Sequence, residues 1–232
     1  MTLRAAVVAV AVAWCAAPAA AAQDPMLDAD AVPAVRAAAA GGDADAQVVL
    51  GRIYFEGRLV PQDDVEAVRW WRLAADAGHQ DAQFHISFMY QFGRGVPLDM
   101  EEAIRWYGLG ALQGDRLAMY NLGRMYFVGQ PIAQDHAEAA RWWRLAAAEG
   151  DVVAQFNLGQ MFGNGQGVPR DDRRAYMWLH MAVEHSTGED WVRRIGARDE
   201  MGERLGDAER IEAEARAGAC VSSAFADCGY LE

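Results

Sequence analysis

The chain contains no lysine; all 21 of its basic residues are arginines. That absence removes the S-x-x-K chemistry of penicillin-binding serine enzymes and the lysine that ends a phosphate-binding loop. Histidine is scarce: His79, His85, His136, His180 and His185 show no H-E-x-x-H or comparable metal-ligand spacing. His180 and His185, five apart, turn to different faces of a helix. Serine is sparse as well, and none of Ser87, Ser186, Ser222 and Ser223 stands in a recognisable relation to a histidine and a carboxylate. Positive charge is in short supply, with 33 acidic residues and a formal net charge of -12. A chain of that balance has no basic patch with which to displace counterions, so nucleic acid and anionic membrane surfaces are excluded as partners. The expectation is a protein that is not an enzyme, with no metal and no cofactor.

Long apolar runs are confined to one place. Met1 to Ala22 carries a single early charge, Arg4, then an apolar run from Ala5 to about Cys15 and an alanine-rich end before Gln23. It reads as a secretory signal peptide (residues 1–22). Pro18 and the A-x-A text disfavour the alternative, an uncleaved membrane anchor. No stable membrane insertion is expected after cleavage, and the location is periplasmic or secreted. Of three cysteines, Cys220 and Cys228 are left in the mature chain, and in an exported protein the pair is expected to close a short loop as a disulfide. A metal or redox role for two cysteines with no nearby histidine is the weaker reading.

What the chain has in abundance is its own text, repeated. DRLAMYNLGRMYFVGQPIAQDHAEAARWWRLAAAEG, residues 115–150, recurs at a spacing of 36, so that units 43–78, 79–114, 115–150 and 151–186 follow without a gap. Ala46, Ala82, Ala118 and Ala154 form one column. Others are Leu50, Ile86, Leu122, Leu158; Tyr54, Tyr90, Tyr126, Phe162; and Trp70, Trp106, Trp142, Trp178. Gly57, Gly93, Gly129 and Gly165 keep step with them. In the third unit Ala118, Leu122, Met125 and Tyr126 share one helical face, here called helix A. Gly129 and Pro131 break it, and Asp135 caps a helix B whose stripe is Ala139, Trp142, Leu145 and Ala146. Each unit is an αα-hairpin that must stack on a neighbour to hide its apolar stripes, which makes an all-α solenoid. The glycine-rich Gly163 to Gly167 falls in the inter-helix turn and is explained by turn geometry.

The motifs A-x-x-x-L-G-x-x-Y in helix A, G-x-x-V-P-x-D in the loop and A-x-x-W-x-x-x-A in helix B closely resemble the Sel-one-like repeats, relatives of the tetratricopeptide repeats. Ser87 and Gly110 depart from their columns, small residue for small. The resemblance implies an α/α superhelix of four 36-residue repeats. Residues 23–42 are expected to supply a capping half-repeat, residues 187–217 two closing helices with an aspartate cap at Asp207, and residues 218–232 a tail with the disulfide. It also implies a protein-binding scaffold, an adaptor of the bacterial envelope. Two other readings are weighed: a regulator restraining a membrane signalling protein and, from a different class, a β-lactamase-like or cell-wall hydrolase.

In tetratricopeptide-like folds helix A lines the concave surface, where another protein or peptide would lie. Two columns vary there: Arg52, Phe88, Arg124, Gln160, and Phe55, Gln91, Phe127, Gly163. Arginine beside aromatics is a composition common in binding hot spots. The expected groove therefore comprises Arg52, Phe55, Phe88, Arg124, Phe127 and Gln160, the alternative being that the phenylalanines fill gaps between A helices. Asn121 and Asn157 would bind a peptide backbone or tie one repeat to the next. The pairs Glu66–Arg69, Glu102–Arg105 and Glu138–Arg141 are expected to solvate the outer wall. The oligomeric state is left open.

Overall fold

The computed structural model describes residues 29–129, 132–186 and 188–222. The expected signal peptide and Cys228 lie outside these residues. After a single 3-10 turn, Ala29–Ala31, the described residues form eleven α-helices and no strand. They are α1 (Val32–Ala40), α2 (Ala44–Glu56), α3 (Asp64–Asp76), α4 (Gln80–Phe92), α5 (Met100–Leu112), α6 (Arg116–Val128), α7 (His136–Ala148), α8 (Val152–Asn164), α9 (Asp172–Glu184), α10 (Glu189–Gly202) and α11 (Asp207–Ser222). Helices α2 to α9 are the four hairpins, A then B, stacked as an α/α superhelix.

The punctuation is local and repeats with the sequence. Asp63, Asp99, Asp135 and Asp171 precede the B helices, and each carboxylate accepts from backbone N–H groups of the first turn. Asp43, Asp115 and Asp151 do the same for A helices. His79 is the exception; its Nε2 instead meets Asp45 Oδ1 at 2.9 Å. Every A helix ends on a left-handed glycine, Gly57, Gly93, Gly129 or Gly165, with φ between 63° and 67°. The loop is then closed by one backbone bond, such as Asp63 N–H to Tyr54 O at 3.0 Å.

Alanines sit where helices cross: Ala67, Ala82, Ala103, Ala118, Ala139, Ala154 and Ala175 are all fully buried. At every junction except that of the second and third repeats, where Met119 stands in the column, a glutamine of helix A reaches back to the preceding helix. Gln83 Nε2 donates to Ala75 O, and Gln155 Nε2 to Ala147 O. Gln47 makes the same bond to Ala39 O in α1 at 3.1 Å, so α1 stands in for the B helix of a preceding unit. At the other end α10 and α11 pack on α9, adding Met201, Ala213, Ala217 and Cys220 to the core. Cys220 is fully buried.

Two details differ from the sequence reading. Asp207 is not a cap: it lies inside α11 and pairs with Arg210, while Glu209 reaches back to the N–H of Gly206 at 3.0 Å. The recurrent tryptophan column is not uniformly the inner one either. Trp70 and Trp142 are half-buried, whereas the neighbouring Trp71 and Trp143 are 1% and 3% exposed. The indoles of Trp71 and Trp143 lie against the glycines of helix A, Gly51 and Gly123, and donate to Val48 O and Tyr120 O. The expected Glu–Arg pairs form on the B helices, with N···O separations of 3.2, 2.8 and 2.9 Å. They are exposed and contribute little to stability.

Candidate partner-binding groove

The variable columns of the A helices separate into a charged part and an aromatic part. Arg52 in α2 and Arg124 in α6 are half-buried, two repeats apart at equivalent positions. Most described arginines sit against a carboxylate, but these two do not, and neither makes a hydrogen bond among the described residues. Gln160, in the same column of α8, is also half-buried.

Phe88 is turned inward, while Phe55 and Phe127 are half-buried. Phe88 is 9% exposed and packs on Phe92, with ring centres 4.5 Å apart, and edge-on to Phe55 at 6.4 Å. Phe55 lies 5.4 Å from Trp71 and is roofed by the Arg94 guanidinium at 4.2 Å. Arg94 is itself held by Asp64 in a bidentate pair of 2.9 and 2.8 Å. Phe127 packs against His136 and Trp143. Phe55 and Phe88 thus meet between successive A helices, whereas Phe127 packs on the B helix of its own repeat. Phe88 is covered because aromatic neighbours from two helices converge on it.

One turn nearer the start of each A helix lies a column that the sequence reading passed over: Val48, Phe84, Tyr120 and Phe156. Tyr120 stacks near Trp143 at 6.4 Å, and burial pushes its phenol up, against the opposing pull of Arg124. Its phenol is hydrogen-bonded by the side chain of Asn157 in the next repeat. Asn157 is thus a tie between repeats, and Asn121 is spent on Leu117 O at 2.8 Å. Arg193 of α10 reaches Phe156, its guanidinium 5.1 Å from the ring centre. The signal available in sequence was the spacing itself, since residues four apart share a helical face.

His85 lies on the same surface, stacked on Trp71 at 4.4 Å. Burial pushes it down to about 4; Asp81 opposes this, while Arg52 and His79 add to it. The native state therefore keeps His85 neutral between pH 4 and 6.5, where the unfolded chain takes up a proton. Its contribution is fully present above pH 6.5 and is lost as pH falls towards 4. Urea midpoints measured at pH 7 and pH 4.5 are expected to differ less in His85→Phe than in the parent; an equal difference would remove His85 from the account.

Among the described residues no cluster of histidine, cysteine and carboxylates could hold a metal, and no helix is long and apolar enough to cross a membrane. The cleft between α9 and the closing helices is lined by Arg170, Asp172, Arg173, Arg204 and Glu209, which pair with one another and brace the cap.

The Sel1 repeat signature matches residues 44–79, 80–115, 116–151 and 152–186. The chain belongs to the Sel1 repeat family. Among solved structures, this Sel1 repeat chain is similar to a Sel1 repeat protein from Oxalobacter formigenes. Identity is 35%, the TM-score 0.64, and the match covers 73% of this chain and 49% of that one. Similarity extends to c5321, a protective antigen of uropathogenic Escherichia coli strains with an SLR fold, at 25% identity, TM-score 0.49, covering 85% of this chain and 50% of that one. A putative sel1 repeat protein from Klebsiella pneumoniae matches at 21% identity, TM-score 0.46, covering 74% and 84%. The chain spans about half the length of the first two of these proteins. No curated protein matches it.

Proposed function

We propose that this Sel1 repeat chain is a non-catalytic scaffold of the bacterial envelope that holds a segment of another protein along its A helices. Sel1 repeats generally mediate contacts between proteins. The observation that carries the reading is the pair Arg52 and Arg124, two guanidiniums with no carboxylate of their own in a chain of net charge -12. An arginine left without a partner on a half-buried surface retains its capacity for a bidentate carboxylate contact. The segment is extended or helical and carries acidic groups spaced to meet the two arginines. Its acidity is local, because the negative charge of the whole chain repels a uniformly acidic partner. Tyr120, Phe156 and Arg193 extend the surface towards the closing helices, and Phe88, being covered, is left out of it.

The test is capture of envelope proteins by the mature chain and by a variant carrying Arg52→Glu and Arg124→Glu, matched for helicity. A defined protein held by the parent and lost by the variant is the expected result. The reading fails if both retain it equally.

A further inference from the structure

A second ladder of side chains ties α1 to α2 and α3 to α4. Arg36 of α1 donates to Tyr54 Oη at 2.9 Å, and Arg72 of α3 donates to Tyr90 Oη at 2.7 Å. The Arg72 guanidinium also lies 5.2 Å from the centre of the Trp106 ring, and Arg105 lies 4.1 Å from that ring. With two guanidiniums against it, Trp106 is 2% exposed.

One repeat further on, Tyr126 and Trp142 occupy the corresponding positions, and Arg141 covers Trp142 at 4.2 Å. The residue that should supply the rung is Gly108. Tyr126 has no hydrogen-bond partner for its hydroxyl among the described residues, and Trp142 is half-buried where Trp106 is covered. A Cβ placed on Gly108 would meet nothing within 4 Å. Beside the gap, Leu109 and Leu112 are 37% and 83% exposed. Leu112 stands where the first unit has Asp76. In the following junction the defect is reversed: Arg144 is present, Phe162 has no hydroxyl, and Arg144 Nε is buried without an acceptor.

We propose that the gap at Gly108 is an arginine-accepting site. A guanidinium from a partner protein enters where Arg72 lies in the preceding junction, rests against Trp142 and donates to Tyr126 Oη. The occupant is identified by the molecule itself, which fills the equivalent space with an arginine one repeat earlier. A planar guanidinium stacks on an aromatic ring and donates in the plane at the same time; an ammonium does not. Charge favours it too: Glu138 is the counterpart of Glu102, whose carboxyl is pulled down first by its bond to Arg105 and in smaller part by Arg72. Leu109 and Leu112 then form an apolar shoulder for the residues flanking the entering arginine. The site lies where α5 meets α6 and α7 and is independent of Arg52 and Arg124.

The indole N–H of Trp142 lacks an acceptor and serves as the reporter. Its nitrogen–proton NMR signal is followed in the mature chain during titration with N-acetylarginine amide, N-acetyllysine amide and N-acetylleucine amide. The expected result is a saturable shift with the arginine derivative, several-fold larger than with the other two. It is retained in Gly108→Ala, weakened in Tyr126→Phe and abolished in Gly108→Arg, which supplies the missing rung from within. The proposal is overturned if no derivative gives a saturable shift, if lysine or leucine amide matches arginine amide, or if Gly108→Arg still responds.

Discussion

Gly123→Ser is expected to destabilise the protein by about 2–3 kcal/mol, the cost of overfilling a packed contact. A Cβ at Gly123 would lie 2.3 Å from Trp143 Cδ1 and 2.5 Å from its Nε1. The indole cannot retreat, because it is 3% exposed and bonded to Tyr120 O at 3.1 Å. The second repeat shows what relief requires. There Ser87 occupies the glycine position, and the facing residue is Tyr107 instead of tryptophan, its hydroxyl bonded to Gln91 Oε1 at 3.0 Å. Introducing Gly123→Ser, Trp143→Tyr and Phe127→Gln together should therefore restore much of what the serine alone removes. A favourable coupling of at least about 1 kcal/mol is expected between these neighbours. Urea unfolding, followed by both circular dichroism and tryptophan emission, measures it. Strict additivity of the three changes would show that the Ser87–Tyr107 pairing is coincidence.

The second large effect is expected at Gly95, where the loop of one repeat rests on the backbone of the one before. Its φ is +66°, and a Cβ there would sit 2.2 Å from Asp64 O and 2.5 Å from Asp64 C. Gly114 provides the comparison, with φ at +90° and nothing within 4 Å of an added Cβ. Gly114→Ala should cost only the left-handed conformation, about 1 kcal/mol. Gly95→Ala adds a collision with main chain that cannot rotate away, for about 3 kcal/mol in all. It also displaces Arg94 from its bidentate pair with Asp64. In a solenoid, stability is a sum over repeats and their interfaces, so a damaged interface uncouples its neighbours. Hydrogen exchange is expected to accelerate in α1 to α3 well before α6 to α9. Uniform acceleration along the chain, or equal losses in the two variants, would contradict this account.

The sequence by itself determined the period, the hairpin in each unit, the aspartate caps of the B helices, the glycine that ends each A helix, and the family. Each of these is settled within a few residues of chain, by backbone geometry or by orphan N–H groups seeking an acceptor, so it leaves a mark at fixed spacing. The placing of Arg52 and Arg124 on one variable column was legible for the same reason. Only the tertiary structure decided which side chains that column leaves open. Phe88 shares its column with the two arginines, yet it is covered, because Phe55 comes to it from the neighbouring repeat and Phe92 from its own helix. Trp142 and Trp143 are adjacent in sequence, and the stacking of helices, not their chemistry, makes one half-exposed and the other core. The empty rung at Gly108 lies furthest from sequence reasoning. Residue 72 meets residue 90 across a junction between two hairpins, and no periodicity within either one records that contact.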